Sequence, residues 1–194
     1  MGRPTLHDPD ALLDAAVAIV ARDGVRALTV SAVAREAGAP SGSLYNRFPD
    51  RASLLAAVWM RTVHRFQQAY LEFVTDDPPV ERAVEGAPWT VRWCRDNLAQ
   101  AAVLEAGPQS FEEHHWPDPV RARWAALRAE QNEKIGTLAR LVADRSGCTP
   151  EEAAFAMFDL PLAVVRPYLQ AGRRPPERAG DLARRLAGRI IHGR

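Results

Sequence analysis

A chain of 194 residues, 47% apolar and 25% charged, is long enough to bury a sizeable core, as one domain or as two small ones. No apolar run reaches the ~18 uninterrupted residues of a membrane span, and Met1-Gly2-Arg3-Pro4-Thr5 lacks a charged-then-apolar signal pattern. A cytoplasmic location is therefore expected. The net charge of +1 says nothing by itself about nucleic acid, but its distribution is uneven. Residues 1–52 hold six basic and six acidic side chains, whereas 173–194 carry seven arginines against Glu177 and Asp181. That run reads first as the solvated face of a last helix, with a phosphate-binding tail as the sharper alternative. Cys94 and Cys148 lie far apart and in no metal-ligand spacing, which points first to two reduced thiols, with a redox sensor as the sharper alternative; no metal and no cofactor are expected.

No alternating strand pattern and no repeat of 20–50 residues is present, so the expected class is all-α, with about nine helices. A first helix runs from about Pro9 to Arg22, capped by Asp8, with Leu13, Ala16, Val17 and Val20 inward and Gly24 at its end. Val30, Val33, Ala34 and Ala37 then form the buried stripe of a short second helix, and Thr29 is placed to cap it. Gly38 stands where that helix stops and the chain bends, and Pro40 suits the first turn of a third helix. In the third helix Leu44 and Phe48 face inward, leaving Ser41, Ser43, Asn46 and Arg47 toward solvent or a groove.

Asp50 caps a long fourth helix reaching Val74, whose Trp59, Val63, Phe66, Tyr70 and Phe73 make an apolar seam. Asp77-Pro78-Pro79 breaks the chain. A short helix is expected next, and Pro88 is expected to open another through Trp89, Trp93 and Leu98 to about Ala106, ended by Gly107-Pro108. Gln109 to Pro119 reads as a loop or broken helix. Val120 to Arg145 forms a long helix with Trp124, Leu127, Leu138 and Leu141 inward, stopped by Gly147. Thr149-Pro150-Glu151-Glu152 is a capping box for a helix whose Phe155, Phe158, Leu162, Val165 and Leu169 repeat at three and four, with Pro161 and Pro167 expected to disturb its ladder. Leu182, Leu186 and Ile190 lie inward on the last helix.

The second and third helices with their glycine turn resemble the helix-turn-helix of the tetracycline-repressor (TetR) family of bacterial transcriptional regulators. The resemblance rests on Thr29, on Ala34-Arg35-Glu36-Ala37-Gly38, and on Gly42-Ser43-Leu44-Tyr45-Asn46-Arg47-Phe48-Pro49-Asp50-Arg51 running into Leu54-Leu55. It covers about the first quarter of the chain. It implies a three-helix DNA-binding domain over 1–50, joined by the fourth helix to a helical bundle over 51–194 that binds an effector and dimerises. The function implied is a homodimeric repressor, released from a palindromic DNA operator by a small molecule. A regulator controlled by a protein partner is the alternative, and an all-helical enzyme or metal protein has less support because no zinc-protease motif, phosphate loop or nucleophile elbow appears.

On this reading Gly42 and Ser43, with Ser41, allow close approach to the duplex. Asn46 can pair with adenine and Arg47 with guanine, each such pair discriminating by ~1–3 kcal/mol. The resemblance places Tyr45, Arg51 and Thr29 on backbone phosphates. Ser41 stands where many relatives carry lysine and Arg47 where histidine is common, so no relative's operator can be carried over.

Candidate ligand residues are Met60, His64, Trp89, Trp93, Phe111, Trp124 and Phe155, with Trp116 beside them and Gln100 and Gln131 as candidate polar anchors. Each tryptophan has ordinary core packing as its plainer reading. Candidate dimer residues are Phe158, Leu162, Val165, Leu169, Leu182 and Leu186, with intrachain core the competing reading. Glu112-Glu113-His114-His115 is the one cluster suggestive of metal, and adjacent histidines without a third ligand at helical spacing read instead as a surface loop.

Overall fold

The computed structural model of the chain describes residues 8–193, without the side chain of Ser41. Met1–Thr5 and Arg194, read above for targeting and charge, lie outside the described residues. Helices dominate, and no strand occurs among the described residues. In order they are α1 (Pro9–Asp23), α2 (Val30–Ala37), α3 (Ser41–Arg47), α4 (Arg51–Val74), α5 (Val80–Asp96), α6 (Leu98–Ser110), α7 (Asp118–Ser146), α8 (Pro150–Ala154), α9 (Leu160–Gln170) and α10 (Glu177–His192). A π turn over Phe155–Asp159 carries α8 directly into α9, so the described residues form nine separate helices, as the all-α expectation had it.

The local signals that start and stop these helices are realised in the side chains. Asp8 accepts from the Asp10 amide, Thr29 from Ala32, and Asp50 from Ser53. Thr149 and Glu152 satisfy each other's backbone amides in a reciprocal box. Gly38 sits at φ 61°, in the left-handed region where a side chain is strained, and this allows α2 to end and α3 to leave at a sharp angle.

Three expectations are corrected. Pro40 is the residue before α3 rather than its first turn. Pro88 opens no helix but lies inside α5, buried, with Gly180 of α10 so near that a β-carbon there would stand 3.9 Å from the ring. This packing offsets the amide lost to the Val84 carbonyl, and the break falls instead at Asn97, whose amide side chain bonds the Trp93 carbonyl. Of the two readings of Gln109–Pro119, the loop is the one corrected, and the broken helix is what stands. Gly107 turns the chain at φ 73°, Phe111 and Trp116 are wholly buried, and the Trp116 indole donates to the Phe111 carbonyl at 2.7 Å.

Two compact units result, one holding the described residues up to His64 with Ala99–Trp124, the other Arg65–Leu98 with the described residues from Ala125 onward. The core of the first joins Leu13, Val17 and Val20 of α1 to Val33, Leu44, Phe48, Leu55 and Trp59. Trp59 meets Phe111 at 5.4 Å and Trp124 at 6.1 Å between ring centres. In the second unit α10 lies along α5, fixed by a forked Arg184–Glu85 pair at 2.6 and 3.1 Å. Among the described residues, no helix is long and apolar enough to cross a membrane.

Candidate nucleic-acid interface and effector cavity

The buried Leu44 and Phe48 hold α3 against the first unit's core. One helical face then remains outside, carrying Gly42, Ser43, Tyr45, Asn46 and Arg47, all exposed. Gly42 has no heavy atom within 4 Å of where a β-carbon would stand, so that start of the helix is open. Tyr45, 48% exposed, keeps its hydroxyl 3.3 Å from Ser31 Oγ on α2, which fixes the ring beside the face. Thr29 accepts from Ala32 and keeps its own hydroxyl proton to donate outward. Arg22 of α1 grips Glu36 of α2 with two bonds of 3.0 and 3.1 Å, and the arginine holds that carboxyl below its ordinary pKa. The spacing of the two helices is thereby pinned from outside.

Arg51 stands at the start of α4, as the motif has it, with much of its guanidinium turned into the fold. Its Nε donates to the Leu28 carbonyl at 2.9 Å, Nη2 to Val25 at 3.3 Å, and Nη1 to Glu112 at 2.6 Å. The side chain closes the turn before α2 and ties it to a residue 61 positions away. Glu112 itself has φ 56°, a conformation uncommon for a residue with a side chain, and Arg51 lowers its pKa.

A cavity of about 180 Å³ opens within the second unit. Phe66, Tyr70 and Leu71 of α4, Gln131, Ile135 and Leu138 of α7, and Met157 and Phe158 of the π turn make most of its wall. The π turn has a local cause. Pro161 has no amide for the Met157 carbonyl four residues back, and that carbonyl instead accepts from the Tyr70 hydroxyl at 3.3 Å. Burial pushes the Tyr70 phenol up, so it stays neutral and able to donate. Tyr70 fits only because position 86 is glycine, where a β-carbon would fall 2.6 Å from the hydroxyl oxygen. The remaining polar groups are the hydrogen-bonded amides of Gln67 and Gln131, the Thr90 hydroxyl, bonded to the Gly86 carbonyl, and Lys134.

Residues 12–58 match the family model of bacterial regulatory proteins of the tetR family. That match takes in most of α1, all of α2 and α3, and the start of α4. The fold of the chain agrees with solved structures along nearly its whole length. A regulatory protein of the tetR family from Rhodococcus RHA1 superimposes with a TM-score of 0.71 at 20% identity, over 97% of this chain and 98% of that one. The transcriptional regulator FadR from Bacillus subtilis, solved in complex with stearoyl-CoA, gives 0.68 at 14% identity over 95% and 98%. The multidrug binding protein EbrR, complexed with imidazole, gives 0.55 at 21% over 97% and 94%. No curated protein matches the chain by sequence. The tetR-family helix-turn-helix is thus α2, the Gly38 turn and α3.

The other sequence-predicted residues scatter over this tetR-family fold. Phe111 and Trp124 are core of the first unit, Met60 is half-buried there, and His64 is exposed. Trp89 and Trp93 stand behind Phe66, at 6.2 and 4.8 Å, as supports of the cavity rather than its lining. Phe155 is 47% exposed. None of the seven ligand candidates lines the cavity, whereas Gln131 does and Gln100 does not. Sequence reading missed Tyr70, Thr90 and Met157 as cavity residues, and the pairing of Gly86 with a buried tyrosine on another helix has no local signature. Of the dimer candidates, Val165 and Leu169 are buried in their own unit, Phe158 and the exposed Leu162 both line the cavity, Leu182 is exposed and Leu186 is half-buried. His114 and His115 are exposed, with rings 3.9 Å apart, and among the described residues no group of three potential ligands could hold a metal ion.

Proposed function

We propose that the chain is a sequence-specific transcriptional repressor in the cytoplasm, acting as a homodimer and released from a palindromic operator by a small molecule held in the cavity of the second unit. On this reading residues 1–50 bind DNA and 51–194 bind the effector and the second copy. The observation that carries the reading is the exposed face of α3, with Gly42, Ser43, Tyr45, Asn46 and Arg47 outward beside Thr29. Asn46 and Arg47 read base edges, Tyr45 and Thr29 hold phosphates, and Ser41 lies at the same helix start. Arg51 spends three of its five N–H donors inside the fold, leaving two for a phosphate.

One copy of a seven-residue helix offers few contacts, so affinity needs two half-sites ~34–36 Å apart. The apolar side chains left outside, Phe155, Leu162 and Leu182, supply the face for the second copy, with Leu186 at its edge. The apolar cavity favours a ligand over a protein partner as the signal, and the structures of FadR with stearoyl-CoA and EbrR with imidazole share the fold.

The test is a gel-shift titration on DNA from upstream of the protein's own gene, with random competitor. Competitor-resistant binding by one dimer per palindrome supports the reading. Binding no tighter than to random DNA, at low and moderate salt and across upstream fragments from the whole genome, overturns it.

A further inference from the structure

The apolar cavity shares a border with a charged groove. Leu71, Lys134 and Leu138 line both, and the groove, about 370 Å³, adds Asp76, Glu130, Glu133 and Thr137. Three carboxylates therefore face one ammonium. Lys134 and Glu130 neutralise each other through a 2.8 Å ion pair, leaving the charges of Asp76 and Glu133 on the groove. The cavity itself is the opposite in character. Among its twelve lining residues the only charged one is Lys134, which stands on the shared border. Phe66, Tyr70 and Phe158 supply aromatic walls, with Tyr70 and Phe158 at 5.4 Å and Phe66 and Tyr70 at 6.2 Å.

We infer that the occupant is an amphiphilic cation, its apolar body among Phe66, Tyr70, Met157 and Phe158 and its ammonium on the groove of Asp76 and Glu133. This rests on the reading of the cavity as the effector site. An apolar body gains by leaving water in proportion to its area, which any tail of the right size shares. The head is where selection arises. A carboxylate or phosphate head would sit among like charges, whereas an ammonium is drawn to them. The groove thus disfavours a polyanionic acyl thioester such as the one held by Bacillus subtilis FadR.

The experiment uses the full chain and three probes with the same tail, octyltrimethylammonium, octanol and octanoate, titrated by calorimetry below their micelle concentrations. The ammonium is expected to bind about tenfold tighter than octanoate at low salt, with the preference shrinking as salt is added. Asp76 and Glu133 are exposed, so D76N/E133Q leaves the fold intact. It should erase most of that preference while octanol binds as before. Octanoate binding as tightly as the ammonium, or a preference untouched in D76N/E133Q, overturns the inference. A parallel gel shift separates this inference from the reading beneath it. Ammonium binding with the expected preference while operator DNA stays bound would sink the effector reading alone. Release of DNA by octanoate and not by the ammonium would sink only the charge of the ligand.

Discussion

The outward face of α3 and the cavity encode chemistry in opposite ways. The outward face of α3 is written in consecutive residues, Gly42 to Arg47, and needs from elsewhere only that Leu44 and Phe48 be buried. The cavity draws its wall from four stretches far apart in sequence, and its central tyrosine depends on a glycine sixteen residues on and a carbonyl 87 residues on. A face made locally can change its chemistry without disturbing the fold. A cavity assembled from distant helices cannot, because the groups that shape it are also the packing.

Gly86→Ala should break this contrast most severely if it is wrong. The new methyl would overlap the Tyr70 hydroxyl, which is buried and cannot rotate away, and the Met157 carbonyl would lose its donor. Overpacking of this kind costs about 3 kcal/mol. Urea unfolding should show it as a lower midpoint at unchanged slope, and ligand binding should fall with it. Stability equal to that of the unaltered chain would mean that the cavity wall is looser than its geometry implies. Arg47→Ala is the counterpart on the recognition face. It should lose about 2 kcal/mol of preference for the operator over random DNA, with the unfolding midpoint unmoved. Equal losses on both DNAs would make Arg47 a phosphate contact instead.

The same contrast explains what was legible beforehand. Caps, breaks and the glycine turn act within four residues, so Asp8, Thr29, Gly38, Asp50 and the box at Thr149 stand in the structure as the sequence predicts. The outward side of α3 follows from Leu44 and Phe48 by helical period alone. Pro88 misled because its cost is local while its compensation, Gly180 on another helix, is not. The aromatic residues were recognisable as apolar but not as to which space they faced. Phe111 and Trp124 fill a core, Trp89 and Trp93 back a wall, and Phe155 faces outward.

Arg51 sharpens the comparison because it belongs to both kinds. Its place in the motif is local, and its partner Glu112 is distant. Arg51→Ala should cost about 1–2 kcal/mol by leaving two backbone carbonyls and one carboxylate without their donor. It should also weaken all DNAs alike and lower the salt dependence of binding. Arg51→Lys separates the two roles, since it restores the charge without the fork. Recovery of DNA binding without recovery of stability would place the phosphate contact and the internal strut in one side chain. Recovery of both would show that the forked geometry does not matter.

The smallest effect belongs to Glu85, whose forked pair with Arg184 joins α5 to α10. Its bond to Arg184 lowers the carboxyl below its ordinary value of 4.5, with Arg92 and Arg82 adding to the pull. A carboxyl depressed in the folded state binds fewer protons there than in the unfolded chain. Its stabilisation is therefore fully present above the ordinary value and is lost as pH falls through the depressed one. Glu85→Gln should lower stability at pH 7 by less than about 1 kcal/mol, since the pair is partly exposed and screened. The difference from the unaltered chain should shrink to nothing in acid below the carboxylate range, which unfolding curves collected from pH 7 downward would trace. A difference constant across that range would mean that α10 is held to α5 by its buried alanines and glycines, Ala179, Gly180, Ala183 and Ala187, with no help from the pair.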